Sequence, residues 1–237
     1  VVLNGHGKKA WFLTRHTTAW STTTRSTTAG VRRAVELGHV LLHGSVDFGI
    51  DDEERFLSFL PASHAYEHTG GQYLPIAVGA QIYYSEGLEK LASNIEETRP
   101  TIMVVVPRLF EVLRTRIMKQ VTKQGGMAEK LMTMALEVGE RRAEGRPRFG
   151  DGAKDFLVGK LLKPKIRQRF GGGVKAMVSG GAPLNPEVGI FFESMGLTML
   201  QGYGQTEAGP VVACNRPKAG IAMHSVGPAM RGVEVKI

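Results

Sequence analysis

The run Thr101-Ile102-Met103-Val104-Val105-Val106, stopped by Pro107, restricts this chain more than any other stretch. It is apolar and rich in β-branched residues, too short for a buried helix and too apolar for a strand with one wet face. It reads as a parallel strand covered on both sides. Its neighbours repeat the theme. Arg55 to Leu60 is a short buried strand closed by Pro61, and Gln81 to Tyr84 is a strand of β-favouring residues. Val174 to Val178 and Leu197 to Leu200 are two further short apolar runs. Helical spacing lies between them. Glu86 to Thr98 carries Leu88, Leu91 and Ile95 on one face and ends at Pro100. Leu109 to Val121 aligns Leu109, Val112, Leu113 and Ile117. Asn185 is placed as an N-cap with Pro186 in the first helical position, for a helix that runs to Met195 and stops at Gly196. Strands alternating with helices predict an α/β fold, a largely parallel sheet flanked by helices.

The chain has 237 residues, enough for a sizeable core. Its composition is 42% apolar and 22% charged, which excludes a wholly disordered chain. No apolar run approaches the 18 or so residues of a membrane-spanning helix. Cys214 is the only cysteine, so an intramolecular disulfide framework and a cysteine-cluster metal site are excluded. It reads as a small buried hydrophobe, and the chain as cytoplasmic. Met127, Met132 and Met134 read as core filling in a helix.

The net charge of +8 is regional, because residues 108–170 hold 16 Lys/Arg against 7 Asp/Glu. Three readings of that helical stretch stay open: a solvated face, attraction to an anionic inner membrane surface, and nucleic acid. Nucleic acid ranks last, since no zinc pattern or aromatic RNA-binding motif accompanies the charge. Residues 1–46 stand apart. Thr17 to Thr28 is almost all Thr, Ser and Arg around Trp20 and shows neither helical nor strand periodicity, while Leu37 to Leu42 is a brief apolar patch.

Two turns leave the ends of predicted parallel strands: Ser179-Gly180-Gly181-Ala182-Pro183 and Gln201-Gly202-Tyr203-Gly204-Gln205-Thr206-Glu207. Ligands of open α/β sheets bind beyond those strand ends. Glycines there let backbone N–H groups approach closely, Tyr203 offers a flat face, Thr206 a hydroxyl, and Glu207 the hard oxygen that Mg²⁺ takes. The set describes a nucleotide-phosphate site, and it reads equally as two tight turns without a ligand. His64 alone reads as a hydrogen-bonded structural residue as readily as a catalytic one, and the neighbouring Glu67 and His68 as a local polar pair.

Tyr203-Gly204-Gln205-Thr206-Glu207 resembles the Tyr-Gly-x-Thr-Glu signature of the AMP-forming adenylate ligases. Ser179 to Leu184 is similar to their adenylate-binding turn, and Leu60-Pro61-Ala62-Ser63-His64-Ala65-Tyr66-Glu67 to their Leu-Pro-x-x-His segment. From about Asp47 to Ile237 the chain resembles the long-chain fatty-acid–CoA ligase branch. The resemblance implies part of the large N-terminal adenylation domain over 47–237. It also implies ATP, Mg²⁺ and coenzyme A as reactants with a fatty acid. Gly181, Ala182 and Pro183 would line the adenine and the acyl-adenylate. Gly202, Tyr203 and Gly204 would hold the adenine and the reacting carboxylate. Thr206 would contact the α-phosphate, Glu207 would bind Mg²⁺, and His64 would orient the substrate.

The family's phosphate loop ends in Pro-Lys-Gly. Its nearest match here is Ser26 to Ala34, where Thr27 and Thr28 stand for the hydroxyls and Arg33 for the lysine, and Arg32-Arg33-Ala34 replaces the ending. Arginine forks where lysine is a point charge, so the exchange is not neutral. The loop reads as degraded or mis-translated. The resemblance places the family's ribose-binding aspartate and its small C-terminal domain with the catalytic lysine beyond Ile237. The expectation is therefore a fragment without ligase activity of its own. Two alternatives stand beside it: a remnant that binds only nucleotide or acyl chain, and a basic membrane-associating module.

Overall fold

The structure is a computed structural model that describes the backbone at residues 2–3 and 10–11, and residues 49–208 and 210–236. Thr27, Thr28 and Arg33, the patch Leu37 to Leu42 and Trp20 lie outside the described residues. Eight strands are described: β1 (Val2–Leu3), β2 (Ala10–Trp11), β3 (Arg55–Ser58), β4 (Gln81–Tyr84), β5 (Ile102–Val105), β6 (Ala176–Ser179), β7 (Met199–Tyr203) and β8 (Ala213–Cys214). They form one sheet in the order β1-β2-β4-β3-β5-β6-β7-β8. The five central strands, β4 to β7 in that order, are parallel, and β1, β2 and β8 pair antiparallel at the edges.

The described helices are α1 (Ala65–Glu67), α2 (Leu74–Val78), α3 (Leu91–Thr98), α4 (Pro107–Gln124), α5 (Gly126–Ala143), α6 (Asp151–Leu161), α7 (Lys163–Arg169) and α8 (Pro186–Ser194). A π-helical stretch, His68–Tyr73, joins α1 to α2. The central strand β5 is buried at every position, which is why its sequence shows no alternation. Its side chains still divide by face. Met103 and Val105 join Leu57, Met177 and Met199 in the large core under α3, α4 and α8. Ile102 packs with Phe56 on the opposite face, and Val104 meets the π-helix at Gly70. Phe192, fully buried, anchors the large core with Phe110, Phe170 and Phe191 at ring-centroid distances of 5.3, 6.2 and 5.1 Å. Such tilted and edge-on pairs add to the area they bury. Helices α5, α6 and α7 extend this core through Leu131 and Met132, Val158, and Ile166 respectively.

Most expected elements are present with ends shifted by a residue or two. Asn185 caps α8 as its sequence demands, its Oδ1 accepting the Glu187 N–H at 2.9 Å. The strand expected at Leu197 to Leu200 is displaced: β7 starts at Met199 and continues through Gln201, Gly202 and Tyr203, residues expected in the turn. The cause is β8, which folds back and pairs Gly202 with Cys214 and Tyr203 with Ala213. Met132 is buried and Met134 packs on the core, whereas Met127, on the first turn of α5, is exposed.

Candidate functional site

The loops that follow β3, β6 and β7 emerge at one edge of the sheet, the carboxyl ends of the parallel strands. They enclose a cleft of about 200 Å³ whose walls include His64, Tyr66, Gly180, Gly181, Gly202, Tyr203, Gly204 and Thr206. Residues more than a hundred positions apart thus converge where open α/β sheets bind ligands. Ala182, Pro183 and Glu207 are exposed near by but are not part of the cleft wall. Glu207 follows Thr206 in a 3-10 turn, Thr206–Ala208.

Each wall is fixed by a local cause. His64 is the N-cap of α1, and its Nδ1 accepts the Tyr66 N–H at 3.2 Å. A neutral ring with Nδ1 as acceptor carries its proton on Nε2, so His64 is a hydrogen-bond donor at the cleft. The Tyr66 hydroxyl donates to the Val178 carbonyl at 2.8 Å and ties α1 to β6. Its ring lies so close to the turn that a Cβ on Gly180 would sit 2.8 Å from Cζ, so only glycine fits. Gly204 is tighter still: a Cβ there would lie 1.6 Å from the Pro210 carbonyl oxygen. Tyr203 is half exposed, and its hydroxyl accepts from the Gln205 amide at 3.0 Å, which steadies the ring while leaving it open at the mouth.

Behind α1 lies a group that composition and motif left without a role. Glu67 is fully buried. The Tyr84 hydroxyl donates to Gln72 Oε1 at 2.6 Å, Gln72 Nε2 donates to Ser58 Oγ at 2.9 Å, and Ser58 Oγ donates to Glu67 Oε1 at 2.5 Å. Glu67 Oε2 has no partner. Loss of water raises its carboxyl to about 7 against the ordinary 4.5, and the Ser58 and Gln72 hydrogen bonds pull the other way. Glu67 and His68 are therefore not a local pair. Glu67 turns inward, while His68 hydrogen-bonds Ala62 O at 3.0 Å and stacks edge-on against Tyr73. A Glu three residues after the motif histidine was visible in the sequence, but its burial depends on the tertiary partners Ser58 and Gln72.

Cys214 is buried, and burial pushes its thiol up to about 12, so it is an inert part of the wall. Through Tyr66, Val178, Val211 and Cys214 the cleft shares a wall with a second cavity of about 360 Å³. That cavity is apolar, lined by Phe56, Gly70, Ile102, Val104, Ala176 and Leu200 among others. It runs beneath the π-helix toward the amino ends of the strands, where Lys175 donates to the buried carboxylate of Glu54. Among the described residues no group of three or more His, Cys, Asp or Glu could hold a metal ion.

A family model described as "AMP-binding enzyme" matches residues 22–237. The peroxisomal long chain acyl-CoA synthetase 6 of Arabidopsis thaliana is 30% identical over 219 residues, covering 90% of this chain and 30% of that protein. The long-chain-fatty-acid–CoA ligase FadD15 of Mycobacterium bovis is 28% identical over 191 residues, covering 78% and 31%. The chain thus spans roughly a third of the length of these curated relatives. Among solved structures, the ATP-bound RpMatB-BxBclM chimera B3 superposes with a TM-score of 0.53 at 16% identity, over 83% of this chain and 30% of that one. A malonyl-CoA ligase with methylmalonyl-CoA and AMP bound gives 0.52 at 19% identity, over 86% and 34%. At these identities the superpositions speak for the fold alone.

Proposed function

The chain belongs to the AMP-binding enzyme family, and from that premise we propose that it forms the nucleotide and acyl half of a fatty-acid–CoA ligase. The observation that carries this reading is the wall shared by a polar cleft and an apolar cavity. A carboxylate held in the cleft beside His64 and Gly180 sends its alkyl chain past Tyr66 and Val178 into the cavity. The adenosine stays at the mouth against Tyr203. A strand rising about 3.3 Å per residue advances roughly 17 Å from Lys175 to Gly180. An extended alkyl chain with tetrahedral C–C bonds of about 1.5 Å advances about 1.3 Å per carbon and covers that distance in roughly 13 carbons.

The reaction has two halves. A carboxylate oxygen attacks the α-phosphorus of ATP, the bond to the bridging oxygen breaks, and acyl-AMP and pyrophosphate form. The thiol of coenzyme A then attacks the acyl carbon, loses its proton and expels AMP. In the first half His64 Nε2–H donates to the substrate carboxylate or the α-phosphoryl oxygen and orients the two. The Thr206 hydroxyl donates to the same phosphoryl group, and the backbone N–H of Gly181 is the turn's donor toward it, since that of Gly180 is bonded to the Val105 carbonyl at 3.1 Å. Fixed donors of this kind stabilise charge as it grows on the phosphoryl oxygens. Glu207 suits Mg²⁺, which commonly takes one or two carboxylates and completes its shell with water and phosphate. When bound, that ion neutralises phosphate charge.

The test is calorimetric titration with an acyl-sulfamoyl adenosine, a stable mimic of acyl-AMP. The reading expects this mimic to bind at least tenfold tighter than AMP. Affinity no greater than that of AMP would mean that the two cavities do not work together.

A further inference from the structure

We propose that the outward face of α6, with the loop before it, is a docking surface for an anionic lipid bilayer. Helix α6 presents its apolar residues the wrong way round for a helix packed on a core. Its inward side is held partly by charge: Asp151 accepts from Arg141 at 2.6 and 3.1 Å and from the Arg148 N–H at 2.8 Å. Asp155 pairs with Arg142 at 2.9 Å and Lys163 at 2.6 Å. Val158 is the buried apolar residue on that side. The outward side carries Phe156, 73% exposed, with Leu157 and Leu161, each 41% exposed. Phe149, in the preceding loop, is fully exposed. Residues 153, 156, 157, 160 and 161 share one helical stripe, so Lys160 sits inside the apolar patch. Single exposed apolar residues are ordinary, whereas a clustered patch marks an interaction surface.

Charge selects the occupant. Pairing with arginine and lysine absorbs both aspartates of α6, while Arg148, Lys160, Lys165 and Arg167 are exposed and have no carboxylate partner among the described residues. Apolar side chains ringed by free cations match an interface of lipid headgroups over acyl chains. A symmetric contact with a second copy would set those cations against themselves. A single-stranded nucleic acid would stack bases on the phenylalanines but would offer no apolar medium to Leu157 and Leu161, which acyl chains do. The basic region 108–170 thereby narrows to the segment from residue 146 to residue 167. The inference is independent of the nucleotide site, so vesicle binding needs neither ATP nor Mg²⁺.

The experiment is co-sedimentation of the 237-residue chain with phosphatidylcholine vesicles, with and without phosphatidylglycerol, across a salt series. Binding to anionic vesicles that weakens with salt is expected. The double variant Phe149→Ser/Phe156→Ser should lower the partition at least tenfold with an unchanged melting curve. Lys160→Gln and Lys165→Gln should each lower it about fivefold at low ionic strength. Absence of vesicle binding, or binding that neither pair of variants alters, overturns the proposal. So does self-association abolished by Phe156→Ser without vesicle binding, which assigns the face to a second copy. Retention on RNA but not on vesicles overturns it as well.

Discussion

Replacing Glu67 by glutamine should change the pH dependence of stability more than it changes stability itself. The native carboxyl titrates near 7, against 4.5 for the free group. Between those values the folded chain holds a proton that the unfolded chain has released. Stability therefore falls as pH rises through that window, and above about 7 the full cost is present. At 1.36 kcal/mol per pK unit, the gap amounts to about 3 kcal/mol. Glu67→Gln keeps the acceptor that Ser58 needs and removes the titration. Its amide nitrogen falls where Oε2 has no partner, a cost of about 1 kcal/mol or more. The variant should be somewhat less stable than the parent near pH 5 and more stable by about 2 kcal/mol near pH 8. Urea unfolding followed by far-UV circular dichroism, at intervals from about pH 5 to about pH 8, reads this directly. Other groups titrate in the same range, so the quantity that matters is the difference between parent and variant. Parallel curves would refute the reasoning, because they would mean that Glu67 gains and loses its proton equally in both states.

Further outcomes follow from the same geometry. Tyr203→Ala should weaken AMP binding about tenfold, the scale of one lost base–aromatic stack, while Tyr203→Phe should bind nearly as the parent does, as read by calorimetry. His64→Ala should weaken an acyl-sulfamoyl adenosine by at least about tenfold, the scale of a hydrogen bond to a charged group, and lower stability by about 1 kcal/mol through loss of the α1 N-cap. Gly204→Ala forces the hairpin open against the Pro210 carbonyl and should cost about 3 kcal/mol, with nucleotide binding lost alongside, as followed by urea unfolding and AMP titration. Phe192→Ala should cost about 3–5 kcal/mol in urea unfolding, since it empties the centre of the aromatic cluster.

What could be read in advance depended on range. The β5 strand was legible because its six-residue run and Pro107 are a local signal. So was the start of α8, where Asn185 and Pro186 act on their own backbone. The end of β7 was not, because Gly202 and Tyr203 become strand only by pairing with Cys214 and Ala213 across a hairpin. The π-helix was hidden for a similar reason. Gly70 and Gly71 let the chain pass close over Val104 and Glu67, neighbours that sequence spacing does not reveal. The two glycine-rich turns line one cleft. The motif did not separate Gly181, in the wall, from Ala182, Pro183 and Glu207, which stand outside it. Glu67 escaped because its neighbours in sequence are polar and its neighbours in space are not adjacent in sequence.

The central claim is that one acid spans the cleft and the apolar cavity beneath the π-helix. A series of acyl-sulfamoyl adenosines of increasing chain length, titrated into the 237-residue chain, tests it most directly. Each added methylene buried in the cavity should tighten binding by about 0.8 kcal/mol, close to fourfold. The gain should continue to roughly 13 carbons, where an extended chain reaches the Glu54–Lys175 pair, and then level off. Affinity that ignores chain length from the shortest acid onward would contradict the account.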